Sequence, residues 1–556
     1  MSEIHSHVIN YLNENTNNSS KGLSHDICNS VISTEEIQKH LKRLKNNKAA
    51  GYDGISSEFI KYAPDEIVNI LFVVFNFIFE KGDWPSNWAT GLISPVHKKD
   101  SINVTDNYRK ITVMPVIGKL LESILNARLV YHNVVVDIDD PMQFGFKEGC
   151  RTTDNIFILY SMIMRQRFKK KPLYLCFIDF TKAFDYINRL ALYYKLIKRG
   201  IQGKMLNIII DMYKKANCRV KWKNKIGDEI ESEYGVLQGG MLSPKLFTEF
   251  LTDLKQYLDQ TCGILVKKSL LTYILYADDM VLCSDSPEGL QSLLDGLFNF
   301  CSKWHLIVSL VKTKIMIFDN KIKNYSFKFG NNEVSKTNEY KYLGTILTNK
   351  NKIFKANCTN IKNKANRAIF ALKAHIKAGI GQLQPHLAIK MFDAQILPII
   401  EYASDIWYEN NEIKDLELIH LAYMKSILRT KISTSNVVVY SELGRFPLFL
   451  RIKMKLLNLW KRITTLSDNH ILKQSYHSLL ELHNLGQKNW CSHVFEILKE
   501  TNLSNSCEIN TINKVQLLLA KERLHKTYMS TCMDKINNSD ENPKLRTYKL
   551  FKDEFC

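Results

Sequence analysis

Three aspartates are the residues of this sequence best placed to do chemistry. Asp179 ends an apolar run, LYLCFIDF at 173–180, and Asp278 and Asp279 stand in YADD at 276–279 behind a second apolar stretch at 270–275. Both stretches have the length and side chains of strands, and adjacent aspartates suit a tight turn between 270–275 and 280–283. In-line attack on a phosphate needs the entering and leaving oxygens stabilised together, which two divalent ions do. Mg²⁺ takes few carboxylates, along with water and substrate phosphates. Three aspartates on the ends of neighbouring strands meet that requirement. Two such charges ~4 Å apart repel by about 4 kcal/mol at an effective dielectric near 20, so a cluster of this kind implies cations. Taken alone, YADD is equally a hairpin turn that happens to contain Asp-Asp.

The elements that must carry these residues can be read around them. Residues 181–200 have helical character after the first strand. Helical and strand patterns mix irregularly between about 55 and 345, without a clean βα alternation, so the expectation is an α+β domain and not a doubly wound one. Ser33 with Glu36 forms a capping box for a helix over 34–44, and 47–54 (NKAAGYDG) reads as a loop. The apolar run at 67–79 is interrupted by Asn69 and Asn76 and is too short to span a bilayer, so it reads as a buried helix. After about 350 the pattern turns helical. Ile361, Ala365, Ala368, Ile369 and Leu372 share one face, with Lys362, Asn366, Arg367 and Lys373 on the rest. A solvated surface helix is the commoner meaning of such a pattern. Residues 1–30, rich in Asn, Ser and His, read as a partly ordered extension, and the tail from about 470 as helical and basic.

The bulk numbers narrow the class. A chain of 556 residues, 45% hydrophobic, suggests two to four domains. A net charge of +20, from 76 Lys+Arg against 56 Asp+Glu, serves solubility or a polyanionic partner, and its spread along the chain favours nucleic acid over a membrane surface. None of the 12 cysteines lie two to four residues apart, so no zinc knuckle can be written and a reduced intracellular chain with buried thiols is expected. The N-terminus carries no signal peptide.

With these residues in view, the sequence resembles a family. FIDFTKAFD (177–185) closely resembles the first catalytic motif of non-LTR retrotransposon (LINE-type) reverse transcriptases, YADD their third, and GVLQGGMLSPKLF (235–247) the motif between. AGYDGI (50–55), ISPVHKKD (93–100), NYRKITVM (107–114), GKLLESIL (118–125), QFGFKEGCRTTDNI (143–156) and YLGTIL (342–347) match in order as well. The resemblance is strong over about 47–350 and looser over 350–460. It implies a right-hand polymerase: fingers and palm with an antiparallel sheet over 46–347, a helical thumb-like region over 348–465, a helical basic C-terminal region over 466–556, and an N-terminal extension over 1–45.

The same resemblance implies roles. Asp179, Asp278 and Asp279 become metal ligands for two Mg²⁺ ions, with Mn²⁺ as a substitute. Phe184 falls at the aromatic steric gate that clashes with a ribose 2′-OH; a core phenylalanine is the plainer reading. Gln238 and Gly239 line the nucleotide pocket, before a helix start marked by Ser243-Pro244. The family usually reads Gly-Cys-Pro or Gly-Ser-Pro after the glutamine, where this chain has Gly239-Gly240-Met241. Lys98, Lys99 and Arg109 fall in the hairpin that grips the triphosphate, Arg109 foremost because a guanidinium binds bidentately. Lys110 replaces the family's usual proline. Lys312, in SLVKTKIMIF, matches an Asn-x-x-Lys-Thr motif with Ser309 in place of the asparagine; it protonates pyrophosphate or merely holds its loop. Tyr342-Leu343-Gly344 resembles the primer-grip turn, and Lys362 and Arg367 would track the duplex backbone from the thumb.

The expected activity is RNA-directed DNA synthesis, with an RNA template, a DNA primer or target DNA, dNTPs and no membrane, in an intracellular ribonucleoprotein of nucleus and cytoplasm. The oligomeric state is left open. An RNA-directed RNA polymerase would share the carboxylates, but usually shows Gly-Asp-Asp and lacks the bulky gate. A catalytically decayed or co-opted RNA-binding protein is the alternative from another class, prompted by Lys110, Met241 and Ser309. Autonomous elements generally carry an upstream endonuclease, for which the roughly fifty residues before the first motif leave no room, and no cysteine/histidine knuckle or RNase H pattern is visible.

Overall fold

The 173–178 run is buried on both faces, and that decides the architecture. In the computed structural model, which describes residues 4, 6, 8, 27–98, 101–319, 325–379, 384–408, 410–504, 511–538 and 545–549, strand Leu173–Ile178 lies inside a four-stranded sheet. Its order is Lys314–Phe318, Leu173–Ile178, Asp279–Ser284, Tyr273–Tyr276, all antiparallel. Successive side chains of a strand point to opposite faces. Leu173, Leu175 and Phe177 therefore enter one hydrophobic core, and Tyr174, Cys176 and Ile178 a second. A strand covered on both sides needs an unbroken apolar run, which is what this segment supplies.

The second core gathers the helices Glu66–Lys81, Val116–Val136, Arg189–Lys198, Gly203–Lys214, Ser243–Leu251 and Pro287–Trp304. The expected buried helix at 67–79 is the first of these but is buried on one face only: Val68, Leu71, Phe75, Ile78 and Phe79 enter the core, while Ile70, Val73 and Phe77 are exposed, and Gly82 closes it in the left-handed conformation (φ 65°). The expected 34–44 helix spans Thr34–Lys42. Ser33 Oγ accepts from the Glu36 N–H and Glu36 Oε2 from the Ser33 N–H. The same Glu36 carboxylate pairs with Arg128 at 2.8 Å, and Arg128 also donates to the Ser30 and Val31 carbonyls. The stretch just before the helix is thereby pinned to the 116–136 helix; most of 1–30 lies outside the described residues. A second four-stranded sheet, Tyr108–Val113, Thr90–His97, Asn217–Trp222, Lys225–Glu231, stands beside this module. Its 90–97 and 217–222 strands run parallel and its other pairs antiparallel.

Beyond 350 the chain is helical among the described residues. The boundary expected at 465 does not divide the packing. Helices Leu448–Thr464, Ile471–Asn484, Trp490–Glu500 and Lys514–Asn537 share the first core with helix Thr152–Phe168, which backs the central sheet. Trp490 packs edge-to-face on Phe157 with centroids 5.0 Å apart, and Arg165 donates to Ser478 Oγ. The described cysteines are free, most of them buried, and among the described residues no helix is long and apolar enough to cross a membrane.

Ion pairs tie the helical half to the 152–168 helix, and one of them holds a buried carboxylate. Arg462 forks onto the buried Asp154, at the start of the 152–168 helix, and onto the Gly149 carbonyl. Removing one partner strands the other's charge away from water, a loss of about 3–5 kcal/mol. Arg462→Met should lower the melting temperature and let limited proteolysis cleave between the halves; adding Asp154→Asn should recover part of the loss in the same two assays.

Candidate active site

The ladder of the central sheet brings the three aspartates to one edge. Ile178 pairs with Met280, so the next step of the register sets Asp179 beside Asp279, on strands that lie ~4.8 Å apart. Tyr276 pairs with Asp279, leaving Ala277 and Asp278 as a two-residue turn in which Ala277 has φ 57°. Asp179 is fixed through its backbone: its N–H donates to Thr313 Oγ1 (3.2 Å) and its carbonyl accepts from the Ser309 N–H (2.8 Å). The 309–313 turn that provides both contacts carries Lys312, whose Nζ sits 3.0 Å from Asp179 Oδ2 while most of its side chain is exposed. Ser309 acts here through its main chain, so the side-chain change from asparagine leaves that contact intact.

The electrostatics are those of an anionic cluster. Loss of surrounding water raises the Asp278 carboxyl above its usual range, and Asp179 adds to the rise. Desolvation, then the charges of Asp278 and Asp179, push Asp279 up to about 6, with Lys312 pulling the other way. Asp279 keeps an exposed edge. Among the described residues, no group of three His, Cys, Asp or Glu side chains is gathered so as to hold a metal ion. A hard cation that takes few protein ligands fits such an open, repelling set better than a cage would, and Lys312 is the cation that meets Asp179 in its place.

The other residues singled out from sequence are held by contacts of their own. Phe184 is half-buried, stacked on Phe247 at 4.4 Å and edge-on to Phe146 at 6.1 Å, with its carbonyl held by the Val236 N–H. Gln238 Nε2 donates to Asp185 Oδ1 (2.9 Å), which gives that second aspartate of the motif a positioning contact. The Gln238 carbonyl accepts from the Thr112 N–H, and Gly239 (φ 124°) lies so close to the Thr112 carbonyl that a Cβ would come within 2.0 Å of its oxygen. Arg109 is exposed on the 108–113 strand, on the face opposite Lys110, whose charge bears on Cys218. Lys98 is exposed and its N–H bonds the Asn107 carbonyl, while Lys99 lies outside the described residues.

Tyr342, Leu343 and Gly344 close the hairpin Glu339–Tyr342 and Thr345–Thr348, with positive φ at Leu343 and Gly344. Tyr340 stacks on Phe177 of the central strand at 4.3 Å, and the Tyr402 hydroxyl donates to the Leu343 carbonyl. Helix Lys355–Gly379 buries Ile361, Ala365 and Leu372 as its pattern predicts. Lys362 faces Asp415 at 3.5 Å, and Arg367 is exposed.

Two supporting residues escaped the sequence reading. Glu122, fully buried, accepts from the Leu242 N–H at 3.2 Å and holds the loop after Gln238; burial pushes its carboxyl up to about 7. Gln143 embraces Ala277, as its amide meets both the N–H and the carbonyl of that residue. Both fall in blocks that resemble the family, Glu122 in GKLLESIL and Gln143 at the head of QFGFKEGCRTTDNI, but no role was drawn from either. A cavity of about 1220 Å³ is lined by Gln143, Gly145, Phe146 and Lys147 together with Lys39, Arg43, Lys48 and Lys119; Asp139, Asp140 and Glu148 line it too, and none of Asp179, Asp278 and Asp279 does.

The comparisons follow the same outline. The family described as reverse transcriptase (RNA-dependent DNA polymerase) matches residues 96–347. The RNA-directed DNA polymerase from mobile element jockey of Drosophila funebris is 26% identical over 396 residues, covering 68% of this chain and 41% of its own. The probable RNA-directed DNA polymerase from transposon X-element of Drosophila melanogaster is 24% identical over 380 residues, covering 67% and 41%. The Pol polyprotein from type-1 retrotransposable element R2 of Nasonia vitripennis is 27% identical over 330 residues, covering 57% and 31%. The chain thus spans about two-fifths or less of the length of these curated relatives. Among solved structures, apo telomerase from Candida tropicalis aligns with a TM-score of 0.35 and 13% identity over 74% of this chain and 72% of that one.

The raised Asp279 carboxyl has a sign. Between its ordinary 3.8 and about 6 the folded, metal-free protein holds this proton more tightly than the unfolded chain, so this group's contribution to stability falls as pH rises through that window. A divalent ion offsets the repulsion only once the carboxylates are charged. The increase in melting temperature on adding MgCl₂ should therefore be larger at pH 7.5 than at pH 5, and an equal increase at both would contradict the assignment.

Proposed function

We propose that this chain, which carries a reverse transcriptase domain of the non-LTR retrotransposon kind, is an RNA-directed DNA polymerase that extends a DNA primer on an RNA template with dNTPs. The observation that carries the reading is the meeting of Asp179 with the 278–279 turn at one sheet edge, beside Phe184 and Gln238. In this reading residues 46–347 are fingers and palm, 348–465 a thumb-like region, and 466–556 a helical basic region packed beneath.

Asp179, Asp278 and Asp279 would hold two Mg²⁺ ions, or Mn²⁺ in their place. Bound there, such ions stabilise the entering 3′-oxygen and the departing pyrophosphate oxygen of an in-line displacement. The protein's own groups do the rest. Lys312 leaves Asp179 free for the ion and turns its charge toward the triphosphate, which Lys98 and Arg109 approach from the neighbouring sheet. Gln238, held by Asp185, and Gly239 form the wall of the nucleotide pocket. Phe184, braced by Phe247, sets its ring under the sugar, where a 2′-hydroxyl would collide with it. The hairpin turn at 342–344 seats the primer end. Lys362, once released from Asp415, and Arg367 contact the duplex backbone. The basic cavity beside Phe146 suits the incoming template strand, because a cationic groove with an exposed aromatic ring is how single strands are commonly held.

Primer extension on an RNA template with dNTPs and Mg²⁺ tests this directly. Wild-type chain should incorporate, and Asp278→Ala should fall to background; undiminished incorporation would remove the assignment. Phe184→Val should raise the ratio of ribonucleotide to deoxynucleotide incorporation by at least about tenfold, measured as relative kcat/KM, since a steric clash of this kind is worth one to a few kcal/mol.

A further inference from the structure

The turn that carries Asp278 is under local strain, and one side chain holds it. Ala277 has φ 57°, a left-handed conformation that a residue with a Cβ adopts only at a cost of about 1–2 kcal/mol. The Gln143 side chain, almost fully buried, closes around that residue. Its Oε1 accepts from the Ala277 N–H at 2.9 Å and its Nε2 donates to the Ala277 carbonyl at 3.2 Å. The same Oε1 accepts from the Gly145 N–H at 2.7 Å, so three of the amide's four hydrogen-bonding positions are filled. Gly145 makes the approach feasible, since a Cβ there would lie 2.1 Å from the Ala277 nitrogen. Backbone bonds on either side complete the seam, Phe144 N–H to the Leu275 carbonyl and Leu275 N–H to the Met142 carbonyl, both 2.9 Å.

We infer that Gln143 is a positioning residue for the catalytic carboxylates, its amide acting as a clamp that keeps the 277–278 turn in its strained conformation and so aims Asp278 and Asp279 at the shared edge with Asp179. The inference rests on the polymerase reading for its kinetic consequence, but the clamp itself is a statement about the backbone. Gln143 touches no reacting atom; it acts through Ala277. Without the amide, Ala277 relaxes toward negative φ and the carboxylates swing away from Asp179. A displacement of ~1 Å in such a group costs on the order of 100-fold in rate.

The test uses the full chain and three variants: Gln143→Ala, Gln143→Glu, and Gln143→Ala combined with Ala277→Gly. Gln143→Ala should lower kcat for dNTP incorporation about 100-fold while KM for dNTP and affinity for the RNA–DNA template–primer stay within about threefold. Gln143→Glu, of the same shape, still accepts from the two N–H groups but cannot donate to the Ala277 carbonyl, and should fall between. Glycine adopts the left-handed turn without penalty, so Ala277→Gly should return at least about tenfold of the kcat lost in Gln143→Ala. Hydrogen exchange of the 276–279 segment, faster in Gln143→Ala and slowed again in Gln143→Glu, reads the clamp without any turnover. A kcat within twofold of wild type in Gln143→Ala, or unchanged exchange at 276–279, overturns the inference. So does a loss in all three variants that simply follows a common fall in melting temperature. If the wild-type chain itself incorporates nothing, the polymerase reading fails and the exchange measurement still decides the clamp.

Discussion

Everything at the site follows from a repulsion that the fold imposes on itself. An antiparallel ladder places Asp179 beside Asp279 with Asp278 one residue away, and the carboxyls of the latter two are raised first by lost water and then by like charge. Proteins do not gather anions at a sheet edge for stability, because each charge loses water and gains a like neighbour. The arrangement calls for positive charge, and Lys312 supplies some of it at Asp179. The rest of the molecule can be read as the means of enforcing that arrangement. Two hydrophobic cores grip the strand from opposite faces, so it cannot slip by one residue without exchanging the contents of both.

Supports of three different kinds hold the surroundings. The Thr313 hydroxyl and the Ser309 N–H of the 309–313 turn fix the backbone of Asp179. A side-chain amide holds Ala277. A buried carboxylate, Glu122, holds the loop after Gln238, which is also laced to Thr112. Each support comes from a different part of the chain, so the geometry of the site is a property of the assembled domain and of no single motif.

How much of this could be read from the sequence depended on whether the signal lay within one segment. The strand at 173–178 was legible because burial on both faces demands an apolar run, and the aspartate that ends it stands out against that run. The turn at 276–279, the capping box of Ser33 and Glu36, and the buried stripe of Ile361, Ala365 and Leu372 were legible for the same local reason. Gln143 was not, since its partner is the backbone of a residue far along the chain, and backbone atoms leave no trace in residue type. The pairing of Lys362 with Asp415 was hidden likewise, and so was the shared core beneath 466–556, because amphipathic helices announce that they have a partner without naming it.

The Tyr402 hydroxyl, bonded to the Leu343 carbonyl with its ring over Gly344, reaches back from beyond the matched family segment. The last hairpin of that segment therefore borrows its footing from helices the family description leaves out. A piece excised at residue 347 would keep every motif and lose the floor under one of them. Where the family match stops and where a folded unit stops are, in this molecule, different places.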